Sequence, residues 1–86
     1  MYFYVYLIIS KIKNKYVSYV GYTKNLNKRL KSHNSGKGAK FTKGKKWVLI
    51  YKKRYKSKSE AMSNEYILKK NYSQRKRIKQ NYLTSI

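Results

Sequence analysis

The chain opens on an alternation: Tyr2-Phe3-Tyr4-Val5-Tyr6-Leu7-Ile8-Ile9 interleaves tyrosine with aliphatic or Phe side chains. A period of two predicts a strand with Phe3, Val5, Leu7 and Ile9 on one face and Tyr2, Tyr4 and Tyr6 on the other. One face is then expected to pack and the other to be left for function. Lys11 to Lys15 is polar and contains Asn14, which suits a hairpin turn into a second, antiparallel strand, Tyr16 to Tyr22. Gly21 near its end admits close approach by a backbone or a ligand.

The period then lengthens. Leu26, Leu30 and His33 recur at i, i+4 and i+7 behind Thr23 or Asn25, which predicts a short capped helix with Arg29 and His33 one turn apart. Residues 34 to 46 place Gly36, Gly38 and Gly44 among five lysines (Lys37, Lys40, Lys43, Lys45, Lys46) and read as a mobile basic loop. A third strand is expected over Trp47 to Tyr55, with Trp47, Leu49 and Tyr51 alternating against Val48, Ile50 and Lys52. Ser57-Lys58-Ser59-Glu60 has capping-box spacing, which gives Glu60 a structural role at a helix start. That helix carries Ala61, Glu65, Leu68 and Tyr72 on one stripe, with Met62 and Tyr66 beside it. Ser73 is the expected cap of a last helix running to about Leu83, whose Arg75, Lys76, Arg77 and Lys79 face solvent. The predicted fold is α/β (α+β): a single small domain over residues 1–86, with a three-stranded, mainly antiparallel sheet flanked by helices.

Charge turns this pattern toward function. The 86 residues include 23 Lys and Arg but only two carboxylates, Glu60 and Glu65, for a net charge of +21. Such a surface repels itself and is relieved by a polyanion, so nucleic acid is the expected partner. A coding bias toward Lys, Asn, Tyr and Ile is the competing explanation, and it leaves the complete absence of Asp unexplained. There is no Cys, which excludes disulfides and thiolate metal sites and fits a reducing cytoplasm. The run from Tyr2 to Ile9 is far shorter than the roughly 20 residues of a membrane span and has no basic leader before it, so neither a membrane segment nor a signal peptide is expected.

The order strand, strand, helix, strand, helix, with Tyr4-Val5-Tyr6, Tyr19-Val20-Gly21, Arg29, His33 and Glu65 at these spacings, resembles the GIY-YIG nuclease family. The likeness runs from Tyr2 to about Tyr72. It is closest to small standalone members related to the nuclease domain of the excinuclease C subunit, because the ten residues from His33 to Thr42 look like their shared loop. The resemblance implies that Tyr6 and Tyr19 are the tyrosines of the two motifs and that Arg29, His33 and Glu65 are the later active-site positions. It further implies an endonuclease using Mg²⁺ or Mn²⁺ on nucleic acid, DNA being the expected polymer. Two mild departures are Tyr4 where the family has Gly and Val20 where it has Ile. Tyr22 stands where some members carry Lys, so a cationic phosphate contact is missing or falls to the loop around Lys37.

Each position has a chemical reading beside a plain one. Glu65 is a hard oxygen ligand suited to Mg²⁺ or Mn²⁺, which accept one carboxylate and complete their shell with water and phosphate oxygens; alternatively it pairs with a basic neighbour. Arg29 is one of four arginines and its planar fork can clamp a phosphate, or it lies on a solvated helix face. The single His33 orients a tyrosine or phosphate oxygen, or is a satisfied, partly buried residue. One of Tyr6 and Tyr19, with Tyr6 preferred, takes a proton from water while the other binds substrate or metal water; a surrounding of cations is expected to lower the phenol pKa. In a chain with 11 tyrosines, both also read as sheet-face residues. Lys37, Lys40, Lys43, Lys45 and Lys46 are expected to contact the phosphate backbone without reading sequence. Target choice is left to substrate shape, a protein partner or a homodimer. The competing class is a non-catalytic nucleic-acid-binding module, ribosome- or nucleoid-associated, that keeps the fold without needing Glu65, Arg29 and Tyr6 together.

Overall fold

The alternating N-terminal segment becomes the central strand. In the computed structural model, which describes residues 1–85, β1 (Phe3–Ile12) lies between β2 (Lys15–Thr23) and β3 (Val48–Tyr55), and both pairings are antiparallel. Three helices follow the expected order: α1 (Leu26–Asn34), α2 (Lys58–Lys70) and α3 (Tyr72–Thr84). Ile12 pairs with Lys15, so the β1–β2 turn is two residues long, and its left-handed position is Lys13 (φ 57°) and not the neighbouring Asn14. No helix among the described residues is long and apolar enough to cross a membrane.

Both faces of the sheet are packed, which corrects the expectation of one working face left open. On one face Val5, Leu7 and Val20 form a core with Ala61 and Leu68 of α2, joined by Ile78 of α3. On the other, Tyr6, Ile8 and Trp47 are buried together, with Leu26 and Leu30 of α1 and Leu49 against them. Burying each large side chain in these clusters contributes about 1.5–3 kcal/mol, so the tyrosine face is structural as well as chemical.

The expected alternation in β3 fails at one residue. Leu7 pairs with Tyr51 but Ile8 pairs with Leu49, leaving Ile50 as the extra residue of a bulge. Leu49 therefore packs beside Tyr6 and Ile8, while Ile50 and Tyr51 both join the Val5 side.

Helix α2 starts as its sequence indicates. The Ser57 hydroxyl accepts from the Glu60 N–H (3.1 Å) and donates to Glu60 Oε1 (3.2 Å), so Glu60 is held at the helix start. The helix stops at Lys70, before Tyr72, which begins α3 and is exposed. The cap of α3 is Asn71, not Ser73: its side chain accepts from the Gln74 N–H at 3.0 Å. Arg75 reaches back across this junction to donate from Nε to the Leu68 carbonyl (3.1 Å), satisfying an end carbonyl of α2.

Candidate active site

Four of the sequence-derived residues meet on the Tyr6 face. Pairing of Ile8 with Tyr19 and of Tyr6 with Gly21 sets the two phenols on the same side of the sheet. Asn25 caps α1 by accepting from the Lys28 N–H (3.1 Å), which fixes the rotation of the helix over that face. Arg29 and His33 then point at the same place. Tyr6 Oη lies 2.8 Å from His33 Nε2, and Arg29 Nε donates to Tyr6 Oη at 3.4 Å. Tyr19 meets the imidazole edge-on, with ring centroids 5.1 Å apart.

The segment after α1 belongs to this site. His33 Nδ1 lies 2.8 Å from Thr42 Oγ1, which itself donates to the Ala39 carbonyl at 2.8 Å. The Trp47 indole N–H donates to the Thr42 carbonyl (2.9 Å), and the Asn34 amide bridges the Trp47 backbone, donating to its carbonyl (3.2 Å) and accepting from its N–H. Residues 34–46, expected as a mobile basic loop, are thus tied down through Asn34 and Thr42, with a 3₁₀ turn at Lys40–Thr42. Thr42 is fully buried and was not singled out by sequence reasoning, because a threonine among lysines and glycines carries no periodic signal.

Two glycines make the packing possible. Gly21 faces Tyr6 across the strands, and a Cβ there would meet the Tyr6 hydroxyl and lie 2.6 Å from its Cζ. The close approach expected at Gly21 is therefore that of the Tyr6 ring. A Cβ at Gly38 would lie 2.5 Å from His33 Nδ1 and 3.0 Å from its Cα.

Burial decides the proton affinities. Tyr6 is 2% exposed, and desolvation raises its pKa above the usual phenol value, outweighing the hydrogen bond and charge of Arg29, which pull it down. The expected net lowering by cations therefore does not occur at Tyr6. Desolvation, helped by the Arg29 charge, holds the His33 imidazole below its ordinary range. Arg29 is raised further by its hydrogen bond to Tyr6. At neutral pH the cluster holds a protonated phenol, a neutral imidazole and a cationic guanidinium.

Glu65 stands apart from this hydrogen-bonded cluster. It lies on α2 between the buried Ala61 and Leu68, its side chain 19% exposed, and its charge is one of those acting on Tyr6. Its ion pair is a loose one along the helix, 3.8 Å to the more exposed Lys69. Among the described residues no three His, Cys, Asp or Glu side chains converge as a metal cage. A single, partly open, loosely paired carboxylate fits an ion such as Mg²⁺, which keeps most of its waters and takes one or two protein oxygens. Lys37, Lys40, Lys43 and Lys46 are exposed. Lys45 is instead drawn onto the loop, donating to the Phe41 carbonyl at 2.8 Å with its ammonium 4.9 Å from the Phe41 ring centre.

Residues 2–79 match the GIY-YIG catalytic domain. A UPF0213 protein of Staphylococcus haemolyticus is 44% identical over 75 residues, spanning 86% of this chain and 89% of the relative. One of Clostridium perfringens is 47% identical over 66 residues, spanning 76% and 70% respectively. A solution NMR structure of a UPF0213 protein from Bacillus halodurans shares 38% identity, covering 99% of this chain and 84% of its own, with a TM-score of 0.45.

Proposed function

Because this chain belongs to the GIY-YIG catalytic-domain family, we propose that it is a divalent-metal-dependent endonuclease hydrolysing phosphodiester bonds in DNA. The observation that carries this reading is the continuous contact from Arg29 through Tyr6 to His33, one turn of α1 against one strand. Arg29 uses Nε on Tyr6 and also interacts with Tyr19, and its Nη groups present the planar N–H edge that suits the non-bridging oxygens of a phosphate.

A phenol whose pKa is raised by burial takes a proton from water only if it passes its own onward. His33 Nε2, 2.8 Å away, is the acceptor. The water oxygen forms its bond to phosphorus as its proton moves to Tyr6 Oη and the Tyr6 proton moves to His33. The bond to the leaving ester oxygen breaks, and that oxygen takes a proton from solvent. Tyr6 ends the relay as a neutral phenol and the proton rests on His33; Arg29, donating to the Tyr6 oxygen, stabilises the negative charge that develops there in transit. Tyr19, half-buried beside His33, binds substrate. Glu65 is the residue to hold Mg²⁺ or Mn²⁺, which when bound supplies Lewis acidity at the phosphoryl oxygen.

Tyr6→Phe is expected to lower the cleavage rate about 10²–10⁴-fold, the usual contribution of a general base; wild-type cleavage by both Tyr6→Phe and Tyr19→Phe would overturn this assignment. The pH profile follows from His33, which must be neutral to accept. Its pKa is depressed, so the rate should hold through the ordinary imidazole range and fall only at more acid pH.

The four exposed lysines after α1 contact the phosphate backbone in this reading. Released counterions then give a slope of log K against log salt of roughly −3.6 on duplex DNA, measurable by anisotropy titration; binding insensitive to salt would remove these lysines from the interface. Backbone contacts carry no sequence, so selectivity comes from DNA shape, with a protein partner or a second copy as the further source of target choice.

A further inference from the structure

We infer that Thr42 is a positioning residue of the proposed active site: by donating its hydroxyl proton to the Ala39 carbonyl, it holds His33 in the tautomer that leaves Nε2 open to the Tyr6 proton. The functional meaning of this inference rests on the nuclease reading, whereas the tautomer itself follows from counting donors. Thr42 Oγ1 has one proton, and it is committed to the Ala39 carbonyl 2.8 Å away. Toward His33 the same oxygen can only accept, so the ring proton sits on Nδ1. Nε2 then presents a lone pair. On its far side Tyr6 Oη already accepts from Arg29 Nε and has its own proton free to donate to Nε2.

The whole line is directional. It runs from the Arg29 guanidinium to Tyr6, to His33 and, from the ring's other nitrogen, to Thr42 and the Ala39 carbonyl. In the opposite tautomer, with Thr42 still donating to Ala39, lone pairs of Nδ1 and Oγ1 would face each other, and the Tyr6 proton would lose Nε2 as its acceptor. His33 and Thr42 are each fully buried, so water is not at hand to repair either mismatch. Among the described residues no buried side-chain polar atom lacks a partner. Gly38 contributes by its lack of a side chain: its backbone closes over the Nδ1 edge, where a Cβ would collide, and leaves Thr42 as the partner of that nitrogen.

The chain has a single histidine, so a ¹⁵N-edited spectrum of the labelled full chain at neutral pH reports on this one ring. The groups facing it are Tyr6 from β1, Tyr19 from β2 and Arg29 from α1. Wild type and Thr42→Ser, which keeps the hydroxyl, are expected to show a protonated Nδ1 and an unprotonated Nε2. Thr42→Val, of equal shape, is expected to shift the ring toward Nε2–H and to lower kcat about 10- to 100-fold, the usual effect of removing a partner that orients a histidine, with KM unchanged. A proton on Nε2 in the wild type, or an identical tautomer in the Val variant, overturns the inference. Should Thr42→Val fail to fold, Thr42→Ala, which also removes the hydroxyl, supplies the same comparison. Should the wild type cleave nothing, the nuclease reading fails while the tautomer is still read.

Discussion

Glu65→Gln should reduce metal-dependent cleavage about 10²–10³-fold, the scale of removing one electrostatic stabiliser from a transition state, while DNA binding persists. Gln keeps the shape and the place on α2 and removes only the charge, which a hard divalent ion needs from its ligand. No substitute stands nearby. The only other carboxylate in the chain is Glu60, and the Ser57 hydroxyl holds it at the start of α2. Binding is expected to be equal or tighter, because the net charge rises by one against a polyanion. The two effects separate in single-turnover cleavage of end-labelled DNA with Mg²⁺ and in anisotropy measured without it. Cleavage at the wild-type rate would remove Glu65 from the chemistry, and weakened binding would make it a structural residue.

A second large effect is expected far from any charge. Gly21→Ala places a methyl group 2.6 Å from Tyr6 Cζ and 3.0 Å from its Cε2, a distance that van der Waals radii forbid. The ring has nowhere to go, being packed with Ile8 and Trp47 and bonded to His33. Overpacking of this kind costs about 1–3 kcal/mol, read as a lower urea midpoint. The displaced hydroxyl also breaks the contact to His33, and misplacement by about 1 Å lowers catalysis on the order of 10²-fold. In the double variant Gly21→Ala/Tyr6→Phe the colliding hydroxyl is gone, so the stability losses should be less than additive. Full additivity, or an unperturbed single variant, would show that the sheet relaxes around this position.

These two residues also mark what could be read from the sequence. Strand β1 was legible because tyrosines alternate with Phe3, Val5, Leu7 and Ile9, and α1 because Leu26, Leu30 and His33 share one face. The likeness to the family's motifs named Tyr6, Tyr19, Arg29, His33 and Glu65, and the structure brings the first four together on one face. The bulge at Ile50 was invisible, since an inserted residue breaks a period of two without changing composition. Asn71 and Ser73 are both good caps, and only the stop of α2 at Lys70 decides between them. The sign of the Tyr6 shift was missed because a sequence displays its cations but not the burial that outweighs them. Thr42 was missed for a related reason: its role depends on where a loop folds back, nine residues along, to meet one imidazole nitrogen.

The most direct test is to incubate the purified chain with branched, nicked and linear DNA in the presence of Mg²⁺ or Mn²⁺, with a chelated control. New ends that form only with the metal, and that vanish in Glu65→Gln, are the expected result. Binding of all three DNAs without any product would contradict the hydrolytic reading and leave a nucleic-acid-binding module on the same fold.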